Sequence, residues 1–124
     1  MSGFHSKIEK DVLHYLLKGK QPIILVLARG LKKNYEPELA HTLTNGQLLI
    51  VSPFHNTVTR ASQNTAYKRN EYMAEIADEI FVAYAQTNGN IERLVMKWLK
   101  EGKRVSTFEV AENLALIKAG AVQI

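Results

Sequence analysis

The sequence contains no cysteine in its 124 residues, and this absence excludes several kinds of chemistry. A chain without cysteine has no disulfide framework, no thiolate nucleophile and no cysteine-ligated zinc or iron–sulfur centre. Its four histidines, at positions 5, 14, 41 and 55, do not have the spacing of a zinc-protease motif. No pair of acids and no Ser/His/Asp grouping stands out. We therefore expect no metal and no cofactor, and binding, rather than catalysis, is the leading expectation.

Long apolar runs are missing as well. No stretch approaches the roughly 20 apolar residues that a membrane-spanning helix needs. Residues 1–5 do not form the basic and then apolar pattern of a signal peptide. Only three prolines and seven glycines are present, and there are no repeats or low-complexity tracts. The sequence predicts one soluble, cytoplasmic domain over residues 1–124, with no membrane association.

Positive charge is concentrated in the first part of the chain. The formal net charge is +4 overall. Residues 1–70 carry ten Lys and Arg against four Asp and Glu, whereas residues 71–124 carry six against eight. This asymmetry favours an anionic partner for the first part. Charge alone leaves nucleic acid, nucleotide and an ordinary solvated surface as alternatives.

Apolar periodicity predicts alternating helices and strands. Ser6 and Glu9 have the form of a capping box, which predicts a first helix of about three turns that is closed by Gly19. Further helices are expected over residues 37–43, 62–77, 91–101 and 112–118, and strands over residues 22–28, 47–52, 80–85 and 103–108. The first three strands are nearly continuous apolar runs, which is typical of parallel strands buried on both faces, and the more polar fourth is expected near a sheet edge. The predicted class is α/β: a Rossmann-like, three-layer domain with a mostly parallel sheet and helices on both faces.

The start of the chain does not fit this class fully. Rossmann-like domains normally begin with a strand and a phosphate-binding turn, whereas this chain begins with a turn and a helix. We expect either a shortened member of a larger family or a partner that supplies the missing sheet edge.

The polar residues that follow the strands, together with residues 2–6 before the first helix, suit a phosphate. In an open parallel sheet, ligands bind beyond the carboxyl ends of the strands, where helix amides attract a phosphate and cationic side chains neutralise it. The candidate phosphate-binding or nucleic-acid-binding residues are Ser2, Gly3, His5, Arg29, Gly30, Lys32, Lys33, Arg60, Lys68, Arg69, Asn70 and Gly89. Phe54, in a loop after a strand, is the candidate for base stacking. In contrast, Phe81, Tyr84 and Trp98 are expected in the core or on helix faces.

Each of these residues also has a structural explanation. Glycines are common in turns because they adopt positive φ without steric conflict. Lys68 and Arg69 also suit a solvated helix surface. Asn70 lies on the apolar stripe of its helix, where a polar side chain needs a partner, so a structural role and a ligand role are both open.

Several segments together resemble the DNA-processing protein A (DprA/Smf) family, which lies in a superfamily with the cytokinin-activating LOG proteins. Ser2 and Gly3 resemble the family's serine-glycine turn, residues 22–31 its second-strand segment, and residues 45–53 (NGQLLIVSP) its G-x-L-x-S-E-x-P region. Residues 68–74 (KRNEYMA) are similar to its basic signature R-R-N-R-I-I-A. The resemblance covers nearly the whole chain and depends on the order and spacing of these segments.

The resemblance implies a Rossmann-like domain that binds single-stranded DNA, forms a homodimer and helps to load a RecA-type recombinase in natural transformation. It assigns backbone-phosphate contacts to Ser2, Gly3, Arg29, Gly30, Lys68, Arg69 and Asn70. Glu71 stands where the signature has an arginine, and the family's first strand and accessory domains are absent, which implies a reduced or specialised relative.

Two alternatives use the same pocket. One is a LOG-type nucleotide phosphoribohydrolase, whose glycine-rich loop would fall near residues 87–92, where this chain has one glycine in place of three. The other is a mononucleotide-binding sensor without catalysis. A DNA-binding protein gains affinity with nucleotide number and loses it with salt, whereas a nucleotide pocket saturates with one monomer.

Overall fold

The protein is described by a computed structural model that covers residues 1–124. It contains five α-helices, one short 3₁₀ helix and five strands, and every strand pair is parallel. The predicted α/β class is therefore confirmed. The strands form two small sheets rather than one. The chain divides into two compact units, Met1–Met73 and Ala74–Ile124, and each unit contains one of the sheets.

The first unit contains the two-stranded sheet. Its elements are α1 (Lys7–Lys18), β1 (Ile23–Val26), α2 (Pro37–Thr44), β2 (Leu48–Val51) and most of α3 (Gln63–Ile76), within which the division between the units falls. Strands β1 and β2 pair from Ile23 opposite Leu48 to Val26 opposite Val51. All five elements lie within about two residues of their predicted bounds, because each has a local apolar pattern.

The core of this unit lies between the sheet and the first two helices. Phe4, Ile23, Leu25 and Leu48 are buried, and leucines of α1 and α2 pack against them. A polar side chain fixes the end of α1. The amide nitrogen of Gln47 donates to the backbone carbonyls of Leu16, Gly19 and Gln21 at 3.2, 3.0 and 3.1 Å. The Leu16 carbonyl also accepts from the Gly19 amide, so the side chain mainly satisfies the two carbonyls that follow the helix and would otherwise need water.

A single residue lies beside β1 where the sequence suggests a missing strand. Ser2 forms an isolated parallel bridge with Leu25. The Ser2 amide donates to the Ile24 carbonyl at 3.1 Å, and the Val26 amide donates to the Ser2 carbonyl at 2.9 Å. Strand β1 thus has backbone partners on both sides, and the bridge fixes the position of the turn that leads into α1.

The second unit contains the three-stranded sheet, in the order β3-β4-β5. Its elements are β3 (Ile80–Val82), α4 (Asn90–Lys100), β4 (Val105–Thr107), a 3₁₀ turn (Ala111–Asn113), α5 (Leu114–Ala119) and β5 (Val122–Gln123). The predicted edge position of β4 is wrong, because β4 is the central strand. Its polarity is compatible with burial, since the hydroxyl of the fully buried Thr107 donates to the Val82 carbonyl at 2.6 Å. Strand β5 was not predicted, because two residues are too few to show a periodic pattern.

Asn113 connects the ends of two strands in this unit. The residue is 0% exposed. Its amide nitrogen donates to the carbonyls of Ala83 and Phe108 at 2.8 and 3.1 Å, and its amide oxygen accepts from the Ala85 amide at 3.1 Å. All these partners are backbone groups in the segments that follow β3 and β4. Asn113 therefore holds the two strand exits together.

The strands are less buried than their apolar sequences predict. Leu49 in β2, Phe81 in β3 and Tyr84 after β3 are 57%, 49% and 53% exposed. The expectation that Phe81 and Tyr84 lie in the core or on helix faces is therefore wrong, whereas Trp98 on α4 is buried as expected. The Phe81 and Phe108 rings meet edge to face at a centroid separation of 5.0 Å. None of the helices is long and apolar enough to cross a membrane.

Candidate anion-binding site

The turn that precedes α1, residues 2–6, has a shape that is fixed by Phe4. Its backbone is left-handed, with φ of 48°, while its side chain is only 6% exposed. The left-handed conformation costs a non-glycine residue about 1–2 kcal/mol, and burial of an aromatic ring contributes about 2–3 kcal/mol in return. The Phe4 amide also donates to the Ser2 hydroxyl at 3.0 Å. We call residues 2–6 the N-terminal turn.

The donors of the N-terminal turn converge on one anionic group. The carboxylate of Glu9 accepts hydrogen bonds from the Ser2 hydroxyl at 2.8 Å, the His5 amide at 3.2 Å and the Ser6 hydroxyl at 3.0 Å. The Glu9 amide in turn donates to the Ser6 hydroxyl at 3.3 Å. The predicted capping box is thus confirmed, although the carboxylate accepts from the amide of His5 rather than that of Ser6. The partial positive charge of the helix N-terminus also favours an anion here.

Arg69 lies beneath this turn. It is only 6% exposed, and it reaches the turn from α3. Its Nη1 donates to the Val26 carbonyl at 3.3 Å, and its Nε donates to the Asn70 side-chain oxygen at 3.0 Å. A Cβ atom at Gly3 would overlap the guanidinium, so glycine at this position leaves the space that Arg69 fills. Asn70 therefore has a structural role as an acceptor for Arg69.

The charge of Arg69 has only neutral hydrogen-bond acceptors. Burial lowers the pKa of its guanidinium below the ordinary value, and the nearby Glu9 carboxylate opposes this effect. Buried charges in proteins are normally paired, because desolvation strongly disfavours an isolated ion. Arg69 is a buried cation whose hydrogen-bond acceptors are neutral, and it lies beside a turn whose donors converge. This arrangement can stabilise a bound anion.

The loops after β1 and β2 pack closely against each other. The Gly30 amide donates to the Val58 carbonyl at 2.8 Å, and a Cβ atom at Gly30 would lie 2.5 Å from the His55 carbonyl oxygen. Arg29 donates from Nε to the Gly30 carbonyl at 3.2 Å. The Phe54 ring is half-buried in this loop region. Gly30 is therefore required for loop packing, and Arg29 is directed toward its own loop.

The remaining predicted residues lie outside the cluster around Arg69. Lys32, Lys33, Arg60 and Lys68 are exposed. The ammonium group of Lys32 lies 5.5 Å from the centre of the Tyr35 ring. Gly89 belongs to the other unit, where it precedes α4 and its amide donates to the Gln86 carbonyl at 2.9 Å. Of the predicted set, the structure brings together Ser2, Gly3, His5, Arg69 and Asn70.

The sequence interpretation did not include Ser6 and Glu9 among the site residues. It assigned them to a helix cap, which describes only their local contacts. The signal that could have identified them is an acidic residue in the first turn of a helix that follows a serine-glycine turn. The carboxylate of such a residue can fold back onto the donors of the serine-glycine turn. No group of three or more His, Asp or Glu side chains is placed to hold a metal ion.

Two open hollows lie away from this cluster. One, of about 570 Å³, is formed by one face of α4 from Glu92 to Lys100 and by the following Glu101. The other, of about 360 Å³, lies between Lys20, Pro22 and the Asn45 to Gln47 segment. Neither contains a predicted site residue. Two of the donor residues of the N-terminal turn, His5 and Ser6, are exposed.

The chain has no significant match among protein-family models, curated protein sequences or solved structures. The α/β class with parallel sheets therefore rests on this structure itself.

Proposed function

We propose that this protein binds single-stranded nucleic acid through the backbone phosphates, in the manner that its resemblance to the DprA/Smf family implies. The observation that carries the proposal is the buried Arg69 guanidinium, whose two acceptors are both neutral, beneath a turn of converging donors. A phosphate on the N-terminal turn would be stabilised by this charge from below. Lys68 is exposed on the same helix and lies outside this cluster, so we assign it to a neighbouring phosphate of the same strand.

The distribution of charge supports a polyanionic ligand. The first unit, Met1–Met73, carries ten Lys and Arg against five Asp and Glu, a net charge of +5. The second unit, Ala74–Ile124, carries six against seven, a net charge of −1. Contacts to phosphates carry no sequence information, so the proposed binding is independent of base sequence. Base stacking on Phe54 stays a prediction.

The openness of the site favours a polymer over a mononucleotide. Small-molecule sites are usually clefts that cover most of the ligand surface, whereas the donors of His5 and Ser6 are on an exposed turn.

The LOG-type alternative has little support in the loop before α4. There Arg93 donates to the Asn88 carbonyl at 3.1 Å and to the Asn90 side chain at 3.1 Å, which closes a short turn. Recombinase loading and dimer formation follow from the resemblance alone and stay predictions.

Fluorescence anisotropy with oligothymidylates of increasing length tests the proposal. We expect affinity to rise with length and to fall at least tenfold between about 50 and about 200 mM salt, because each phosphate contact releases counterions. AMP should compete weakly. Affinity that is independent of length, together with strong competition by AMP, would support the mononucleotide alternative instead.

A matched pair of lysine variants locates the interaction. Lys68→Ala should lower the salt slope by about one phosphate contact. Lys118→Ala removes the same charge from an exposed position in the second unit and should leave the slope unchanged. Equal effects of the two variants would contradict a site near α3.

A further inference from the structure

The donors proposed for phosphate are already used within the protein. The Ser2 hydroxyl, the His5 amide and the Ser6 hydroxyl all donate to the carboxylate of Glu9, at 2.8 to 3.2 Å. A carboxylate and a phosphate have the same needs, namely hydrogen-bond donors and positive potential. The N-terminal turn therefore already holds an anion, and that anion belongs to the first turn of α1.

This contact goes beyond an ordinary helix cap. A capping box requires a reciprocal bond between the first residues of the helix and its cap. Here the carboxylate also accepts from Ser2, seven residues earlier, whose backbone is paired with β1. The carboxylate lies close enough to Arg69 to act on its pKa. When no ligand is bound, the buried guanidinium of Arg69 thus attracts the carboxylate of Glu9.

A phosphate cannot use these donors while Glu9 holds them. Each hydroxyl and each amide has one proton to donate, and two anions at one site repel each other. Glu9 is half-buried and belongs to the first turn of α1, so rotation of its side chain can release the donors while the helix remains in place.

We propose that Glu9 is an internal competitor for the anion site, so that a nucleic-acid phosphate binds at the N-terminal turn by displacing the Glu9 carboxylate from Ser2, His5 and Ser6. This inference rests on the proposed function. Competition by Glu9 lowers the affinity of the site for phosphate below the value that the donors and the buried cation would give without it. Glu9 is then the residue that sets this affinity.

The test compares two variants that remove the same charge from the same helix. Glu9→Gln preserves the size of the side chain but removes its charge, and Asp11→Asn does the same at an exposed position two residues later. By anisotropy, Glu9→Gln should bind oligothymidylate about tenfold more tightly than the wild type, whereas Asp11→Asn should gain at most about twofold, because an exposed charge is screened by salt. Glu9→Ala, which has no amide to occupy the donors, should show the same gain as Glu9→Gln.

A second readout follows the turn itself. In ¹⁵N-resolved NMR spectra, titration with inorganic phosphate should shift the His5 amide signal at a lower concentration in Glu9→Gln than in the wild type. The same spectra verify that each variant is folded. This measurement separates displacement at the turn from a general change in protein charge.

The outcomes distinguish the two claims. If the wild type binds oligothymidylate with the expected length and salt dependence but Glu9→Gln and Glu9→Ala bind no more tightly than Asp11→Asn, internal competition is wrong and the proposed function stands. If neither the wild type nor any variant binds oligothymidylate, the proposed function is wrong and the inference fails with it.

Discussion

Two buried polar side chains, one in each unit, are satisfied in different ways. Asn113 in the second unit is 0% exposed and makes three hydrogen bonds to backbone groups. Arg69 in the first unit is 6% exposed, carries a charge, and makes two hydrogen bonds to neutral acceptors. The amide of Asn113 is neutral, and its nitrogen and its oxygen both have partners, whereas the charge of Arg69 is not matched by a hydrogen-bonded anion.

The difference indicates what each residue does. A neutral side chain whose bonds all go to backbone stabilises the fold, because its removal leaves buried backbone groups without partners. A buried charge with neutral partners adds little or nothing to stability relative to an apolar side chain of the same size. The difference indicates that Asn113 serves stability, and it supports the proposal that Arg69 serves binding.

The largest effect on stability is expected for Asn113→Ala. The substitution leaves the buried Ala85 amide and two carbonyls without this partner, so we expect the free energy of unfolding to fall by about 2–4 kcal/mol. Urea denaturation followed by circular dichroism measures the change. Gln123→Ala, at an exposed polar position of the same unit, is the control and should change stability by less than about 0.5 kcal/mol. If Asn113→Ala lowers the free energy of unfolding no more than the control does, Asn113 does not hold the strand exits together.

Gly3→Ala should have the next largest effect. The new methyl group overlaps the Arg69 guanidinium, which must move and lose its hydrogen bonds. We expect a loss of about 1–3 kcal/mol of stability. In an Arg69→Ala background the space is vacant, so the same substitution should be nearly neutral. Additive effects in this double-mutant cycle would show that Gly3 and Arg69 are not coupled.

Gln47→Ala should have a smaller effect, about 1–2 kcal/mol, because the carbonyls of Leu16, Gly19 and Gln21 that lose this donor lie near the surface and can bond to water. Hydrogen exchange should show the loss locally, as faster exchange in the last turn of α1. Unchanged exchange in that turn would contradict the role of Gln47 at the end of the helix.

Arg69→Met is expected to change stability least, by less than about 1 kcal/mol, because the loss of two hydrogen bonds and of the attraction to the Glu9 carboxylate is offset by removal of a buried charge. Thermal denaturation in low-salt buffer without ligand measures this. A large loss of stability, comparable to that of Asn113→Ala, would place Arg69 with Asn113 as a residue that maintains the fold.

The elements of the fold could be predicted from the sequence because their signals are local. The apolar strands, the Ser6 and Glu9 cap and the amphipathic α4 each lie within a short window, and their bounds agree with the structure to within about two residues for most elements. The central position of β4, the short β5 and the exposure of Phe81 could not be predicted in this way. They depend on which strands pair, and pairing joins residues that are distant in the sequence.

Only part of the candidate site could be predicted from the sequence. Ser2 and Gly3 are predicted site residues because they precede the first helix and its free amides, and Arg69 because it lies in the helix that follows the second strand. The interaction of Glu9 with Ser2 was not predicted, because a capping motif specifies only the first turn of the helix. The interaction between Gly3 and Arg69 depends on packing between α3 and a turn 66 residues earlier in the chain.

The most direct test of this account is the melting temperature of the wild type and of Arg69→Met across a titration with oligothymidylate. A ligand that binds only the folded state stabilises it by about 2.7 kcal/mol at a hundredfold excess over Kd, so the melting temperature of the wild type should rise by several degrees. Arg69→Met should be as stable as the wild type without DNA and should gain much less with it. Equal gains for both proteins would contradict the claim that the buried charge of Arg69 serves to bind an anion.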